Sequence, residues 1–207
     1  FAAEARAVAG ILGKKGALVA PAFPGAGRTV VDGVLLVHGI PVHEAGFAQD
    51  PGSPVTESLV AAVVERQAGG PVGRLRLSEV RQGAVAVAAA LERRRGFVIA
   101  DAETGADLGT LARALMERQD WLPVGSAGLA AAWAGDLGFR QPPAMAPNLA
   151  KGYLLVCGSA HPANRRQVRR LAETLGATPA QAEPGDRAAW LRAQADFERH
   201  GLAVMIT

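Results

Sequence analysis

Apolar positions along this chain follow two rhythms. Short, mostly apolar runs, at 17–20, 96–101, 121–124, 153–157 and 202–207, are bounded by glycine, proline or charge, and 72–77, broken by Arg74 and Arg76, also reads as a strand. These read as strands, those at 17–20 and 96–101 as buried ones. Between them lie longer stretches in which Ala, Val and Leu recur with a period near that of a helix. These predict helices over 1–12, 55–67, 84–95, 106–118, from Ser126 to near Gly138, 163–175 and 187–200. Residues 29–42 read as a β-hairpin, with β-branched and aliphatic runs on either side of an Asp32-Gly33 turn, and a polar loop runs from His43 to Pro54. Strands alternating with helices predict an α/β fold. The expected architecture is a Rossmann-like, mostly parallel sheet domain with a β-hairpin insertion, followed by the start of a second α/β domain. Residues 139–147 are proline-rich and without period, which sets expected boundaries at 1–140, a linker at 141–151 and a second domain at 152–207.

Composition narrows the picture. Only 5% of the residues are aromatic, so the core must be built from Ala, Val and Leu. A formal charge of +3 is too mild to argue for nucleic acid, and the arginines at 93–95 and at 165, 166, 169 and 170 read as solvated helix faces. Cys157 is the sole cysteine, so no internal disulfide forms and a reducing cytoplasm is expected. No apolar run is long enough to cross a bilayer, and no signal peptide is visible. The chain opens at Phe1 inside a helical pattern and closes on an apolar strand pattern, so both ends are expected to continue in a longer protein.

Open α/β sheets bind ligands at the carboxyl ends of their strands. Four such ends carry chemistry here. The first is a rigid bend, Pro21-Ala22-Phe23-Pro24-Gly25-Ala26-Gly27-Arg28-Thr29, whose guanidinium offers a planar fork of donors to a carboxylate or phosphate. Next comes Asp101, with Glu103 and Thr104 beyond it, which either orients a hydroxyl, acts as a base or caps the following helix. Gly125-Ser126-Ala127-Gly128 and Gly158-Ser159-Ala160-His161 each place a serine at a helix start, where free N–H groups attract an anion. For either turn taken singly, a plain serine cap without a ligand, worth about 1 kcal/mol, is the favoured reading. Neither matches the dinucleotide fingerprint or the Walker A pattern, and Ser126 lacks the setting of a hydrolase nucleophile. His38 and His43 read as exposed, His200 as a partner of its helix dipole, and no metal-ligand spacing occurs.

Taken in order, the Pro21–Thr29 string, the Val-x-Gly hairpin, Phe47-Ala48-Gln49-Asp50-Pro51 with Pro54, Asp101 and Gly125-Ser126-Ala127-Gly128-Leu129 resemble the four-carbon acid sugar kinase family. The turn Cys157-Gly158-Ser159-Ala160-His161-Pro162 with Gln167 looks like the turn that opens the family's second domain. The resemblance covers nearly the whole chain and implies ATP-dependent phosphorylation of the terminal hydroxyl of threonate, erythronate or 3-oxo-tetronate. It implies an acid-sugar side made by Gly27, Arg28, Thr29, Asp101, Gly125 and Ser126, and a nucleotide side made by Gly158, Ser159 and His161, facing each other across a crevice. ATP and Mg²⁺ are the implied cofactors. Partners are the acid, the nucleotide and a second copy in a homodimer, with no nucleic acid or membrane. Several family motifs are absent: an amino-terminal Asp-Asp-x-Thr-Gly segment, a Lys-x-Asp-Ser-Thr-x-Arg-Gly motif expected just before Phe1, and a later glycine-rich nucleotide motif. Cys157 and His161 stand where the family has serines, and Ala45 where Thr is frequent. The catalytic base is therefore expected outside the chain, which as a fragment is expected to be inactive alone. A non-catalytic binding or regulatory module is the second reading. A Rossmann-like oxidoreductase is the third, and the absent glycine fingerprint disfavours it.

Overall fold

The computed structural model describes residues 1–45, 54–70, 72–139, 152–158, 162–176, 178–183 and 185–206. The chain divides into two compact units, Phe1–Gln141 and Pro142–Thr207. The expected linker at 141–151, the Phe47–Pro51 segment, Ser159 and His161 lie outside the described residues.

Unit 1 begins with helix α1 (Ala2–Ile11) and strand β1 (Gly16–Ala20). The meander β2 (Arg28–Val31), β3 (Val34–Val37) and β4 (Ile40–Pro41) follows, then α2 (Val60–Ala68). Next come β5 (Val72–Leu75), the short α3 (Leu77–Val80), α4 (Ala84–Glu92), β6 (Gly96–Ala100), α5 (Gly105–Glu117), β7 (Trp121–Gly125) and α6 (Ala127–Asp136). The main sheet has the order β5-β6-β1-β7, every pair parallel, so all four carboxyl ends leave one edge.

Alternation along β1 explains the layers. Leu18 and Ala20 face a core completed by Leu91 of α4, Leu108, Leu111 and Leu115 of α5 and Leu129 of α6. Ala17 and Val19 face the opposite way, onto Ala2 and Ala5 of α1 and Val60 and Val64 of α2. A strand apolar at every position is what a sheet covered on both sides requires. The α/β expectation therefore holds, with the hairpin as an insertion.

Several boundaries move. Residues 29–42 form three strands rather than one hairpin, because His38-Gly39, at φ 50° and 81°, makes a second tight turn after Asp32-Gly33 at φ 52° and 77°. The helix expected from Val55 starts at Val60. Ser58 O accepts the Leu35 N–H at 2.8 Å and Leu59 bridges Val34, which commits Ser58 and Leu59 to β3 rather than to the helix. The strand expected to end at Leu77 stops at Leu75. There the Glu79 carboxylate accepts the Arg76 N–H at 2.8 Å and starts α3, an element the apolar pattern did not announce.

Unit 2 contains β8 (Tyr153–Cys157), α7 (Pro162–Leu175), the two-residue β9 (Ala180–Gln181), α8 (Arg187–His200) and β10 (Leu202–Ile206). Its parallel sheet runs β8-β10-β9. Val168 of α7 packs with Leu202 and Val204, whereas Ala189 and Ala193 of α8 pack with Ala203 and Met205. The two helices thus cover opposite faces of the sheet. Among the described residues, no helix is long and apolar enough to cross a membrane.

Candidate functional site

β1 delivers the chain into the bend at the carboxyl edge of the main sheet. Phe23 and Arg28 close it with two backbone bonds, Phe23 N–H to Arg28 O at 2.8 Å and Arg28 N–H to Phe23 O at 3.1 Å. A single 3-10 turn, Pro24–Ala26, fills the space between, ending at Gly27 with φ 70°. That left-handed position suits glycine and disfavours a side chain. The bend thus holds Arg28 at the start of β2, with Thr29 next along the strand opposite Leu36.

β7 ends beside it. Gly125 pairs with Ala20, and the Ser126 hydroxyl donates to Ala22 O at 2.5 Å while accepting the Gly128 N–H at 3.0 Å. Ser126 therefore caps α6 and clasps the two bends together. Gly128 is required by the close approach: a Cβ there would sit 2.9 Å from both Ala22 O and Leu108 Cδ1. The helix start, with unpaired N–H groups in its first turn, is the type of position that favours an anion.

Asp101 follows β6 and is 1% exposed. Its carboxylate accepts the Gly33 N–H at 2.9 Å and the Asp32 N–H at 3.2 Å, with Arg74 Nε at 3.6 Å. Burial holds its carboxyl above the ordinary range, against the opposing pull of the hairpin N–H groups and of Arg74. The helix-capping alternative for Asp101 is corrected. Thr104 caps α5 instead, its hydroxyl accepting the Asp107 N–H at 3.2 Å. Asp107 answers by accepting the N–H groups of Glu103 and Thr104 at 3.0 and 2.9 Å, and Arg81 Nε lies 3.1 Å away. Burial opposes ionisation of Asp107, but Arg81, the Thr104 hydroxyl and those N–H groups outweigh it and hold the carboxyl below its ordinary range.

The structure thus joins Gly27, Arg28 and Thr29 to Gly125 and Ser126 through one run of contacts, and places Asp101 beneath the hairpin tip. Arg74, which bonds Asp32 at 2.6 Å, was not singled out from the sequence. Its signal was weak, an arginine one residue before the end of a strand. The capping box at Thr104–Asp107 was readable, as threonine followed three residues later by an acid. His38 and His43 are exposed, and His43 Nδ1 lies 2.6 Å from the Ser58 hydroxyl. In unit 2, Gly158 follows β8 and α7 begins at Pro162. Among the described residues, no three His, Cys, Asp or Glu side chains gather to hold a metal ion.

Comparison with known proteins adds a second line of evidence. Residues 1–133 match the family described as a sugar-binding N-terminal domain. A D-threonate kinase of Salmonella typhimurium is 38% identical over 158 residues, 75% of this chain and 36% of that protein. A D-erythronate kinase of Heliobacterium modesticaldum is 44% identical over 100 residues, 46% of this chain and 23% of that protein. A solved structure from Bordetella bronchiseptica, a domain-swapped dimer with bound citrate, superposes with a TM-score of 0.52 at 31% identity, covering 97% of this chain and 48% of that one. The chain spans less than half the length of each of these proteins.

Proposed function

The chain belongs to the four-carbon acid sugar kinase family, and from that premise we propose that unit 1 binds a four-carbon sugar acid for phosphorylation at its terminal hydroxyl. The observation that carries this reading is the clasp between Ser126 and Ala22, which brings the arginine bend and the start of α6 to the same sheet edge. In the proposal Arg28 takes the acid's carboxylate as a planar fork, and Gly27 lets the backbone approach it. Thr29 and Ser126 offer oxygens to its hydroxyls, and Gly125 with the N–H groups of α6 supplies further donors. Bound citrate in the Bordetella relative supports an organic acid as ligand. Threonate, erythronate and 3-oxo-tetronate are the proposed substrates.

ATP is the proposed phosphoryl donor, taken by unit 2 between β8 and α7, where the sequence carries Gly158, Ser159 and His161. Mg²⁺ is proposed to arrive on the nucleotide's phosphates and to neutralise their charge. The single cysteine supports a cytoplasmic setting, and the Bordetella dimer supports a homodimer. Taken alone, the 207-residue chain is proposed to bind the acid without phosphorylating it, since its matches span less than half of each relative.

Titration calorimetry of the chain against the three acids tests the binding claim. Arg28→Ala is expected to weaken the best of them by about 10- to 100-fold, the worth of a charge-assisted pair. Unchanged affinity in that variant would remove Arg28 from the site. A parallel ATP-consumption assay, with the Salmonella enzyme as positive control, tests turnover. Phosphorylation by this chain alone would refute the claim that it only binds.

A further inference from the structure

We propose that unit 2 carries a docking face for one more helix, supplied by the stretch of the longer protein that directly follows β10, and that this helix packs beside α8 over strand β8. The observation behind it is an uncovered apolar face. Register sets Leu154 beside Ala203 and Val156 beside Met205. Ala203 and Met205 lie under α8, so Leu154 and Val156 share that face of the sheet. Yet they are 47% and 59% exposed, and β8 is the outermost strand. Trp190 and Leu191 of α8 are exposed at 56% and 58%, and with Leu154, Phe197 and Ala203 they line a groove of about 470 Å³. Monomeric proteins rarely leave a contiguous face of large apolar side chains in water.

The two flanks of α8 differ. Ala189 and Ala193 mark its buried line. At about 100° per residue, Trp190, Gln194 and Phe197 fall to one side of that line, and Arg192 and Asp196 to the other. The first flank meets the groove beside β8, and the second borders Ala180 and Gln181 of β9. Toward β9 the helix is charged, as a solvated face should be. Toward β8 it carries Trp190 and Phe197, as a face against a neighbour should.

Handedness names the occupant. From β9 the chain crosses through α8 to β10, one step toward β8. Crossovers between parallel strands are right-handed, so a helix on this face carries the chain in that one direction. A further crossover on the same face from β10 puts its helix next to α8, over β8, and its strand on the open edge of β8. A helix on the opposite face steps the other way, as α7 does from β8 to β9. The relatives have the length to supply such a unit, since the matches cover only 36% of the Salmonella enzyme and 48% of the Bordetella chain. β8 also runs into Gly158, so its covering bears on the segment proposed above for ATP.

The complete protein, compared with the 207-residue chain, tests the proposal by hydroxyl-radical footprinting and photo-crosslinking, both read by mass spectrometry. Oxidation of Trp190 and Leu191 is expected to fall about fivefold or more in the complete protein, as side chains now more than half exposed become covered. A diazirine amino acid incorporated at Leu154, or at Leu191, is expected to capture a peptide from the first ~30 residues after Thr207, the length of one helix and its strand. Undiminished oxidation in the complete protein overturns the proposal. So does capture of a more distant segment, or of a second copy when isotopically heavy and light proteins are mixed. None of these readouts needs ATP or an acid, so they stand or fall apart from the kinase reading.

Discussion

Asp101 and Asp107 flank the Thr104 cap, and both are buried, at 1% and 4% exposure, yet their carboxyls shift in opposite directions. The difference lies in what each is given in exchange for water. Asp107 receives two N–H groups, a hydroxyl and a guanidinium Nε at 3.1 Å. Asp101 receives the hairpin N–H groups and that of Leu77, but its guanidinium stops at 3.6 Å, beyond hydrogen-bond reach. Burial raises both, and the donors decide which sign survives. The pair also separates two tasks at one sheet edge. Asp107 locks the loop that starts α5, whereas Asp101 bears on the hairpin that carries Arg28.

Removing Asp107 should break the comparison most sharply. Asp107→Ala strips the capping box and leaves Arg81, the Thr104 hydroxyl and the N–H groups of Glu103 and Thr104 without their shared partner. The expected cost is about 2–3 kcal/mol, a lost cap plus part of a broken buried ion pair, because Arg81 is half exposed. Urea unfolding measures it. A loss below about 0.5 kcal/mol, the range of an ordinary surface substitution, would mean that the loop holds itself.

A pH series on unfolding sharpens the contrast with a smaller effect. Asp107, lowered in the fold, contributes stability that is present above its unfolded value and lost as pH falls through its folded one. Asp101, raised in the fold, works in reverse. The native state holds its proton more tightly than the unfolded chain, so its contribution declines as pH rises from about 4 through the raised value. Asp107→Asn should therefore flatten the acid limb of the stability curve, and Asp101→Asn should flatten the decline above it. If the two variants changed the same limb, the opposite shifts would be wrong.

Much of this arrangement was legible in the sequence, and the parts that were not share a cause. The doubly covered sheet followed from runs such as Gly96–Ala100, where local propensity and burial agree. The Asp32-Gly33 turn followed from its residue types. The late start of α2 did not, because Ser58 and Leu59 pair with β3, a contact with no trace in local spacing. The same holds for Asp101. Its strand-end position was visible, but its partners come from a turn far away in the chain. Ser126 was read as a cap or an anion site, and the structure makes it a cap whose hydroxyl also clasps Ala22.

The gentlest test of the comparison is Arg74→Gln. Arg74 bonds the largely exposed Asp32 at 2.6 Å and stands 3.6 Å from Asp101. Solvent screens the first pair, so its loss should cost only about 0.5 kcal/mol. The second pair matters only while Asp101 is ionised. At a pH where Asp101 keeps its proton, the variant should therefore lose little more than the surface pair. Where Asp101 has lost its proton the variant should lose more, because an ionised, buried carboxylate is then left with backbone N–H groups alone. The prediction is a difference between two urea curves, one on the acid side of the Asp101 titration and one on its alkaline side, with the larger loss at the higher pH. Replacing an Asp107 partner gives no such dependence. Arg81→Gln exposes a carboxylate whose three remaining hydrogen bonds and Thr104 cap persist, so its cost should vary little over the same interval. Equal pH dependence in the two glutamine variants would show that Asp101 and Asp107 are held alike, and that the 3.6 Å gap makes no difference.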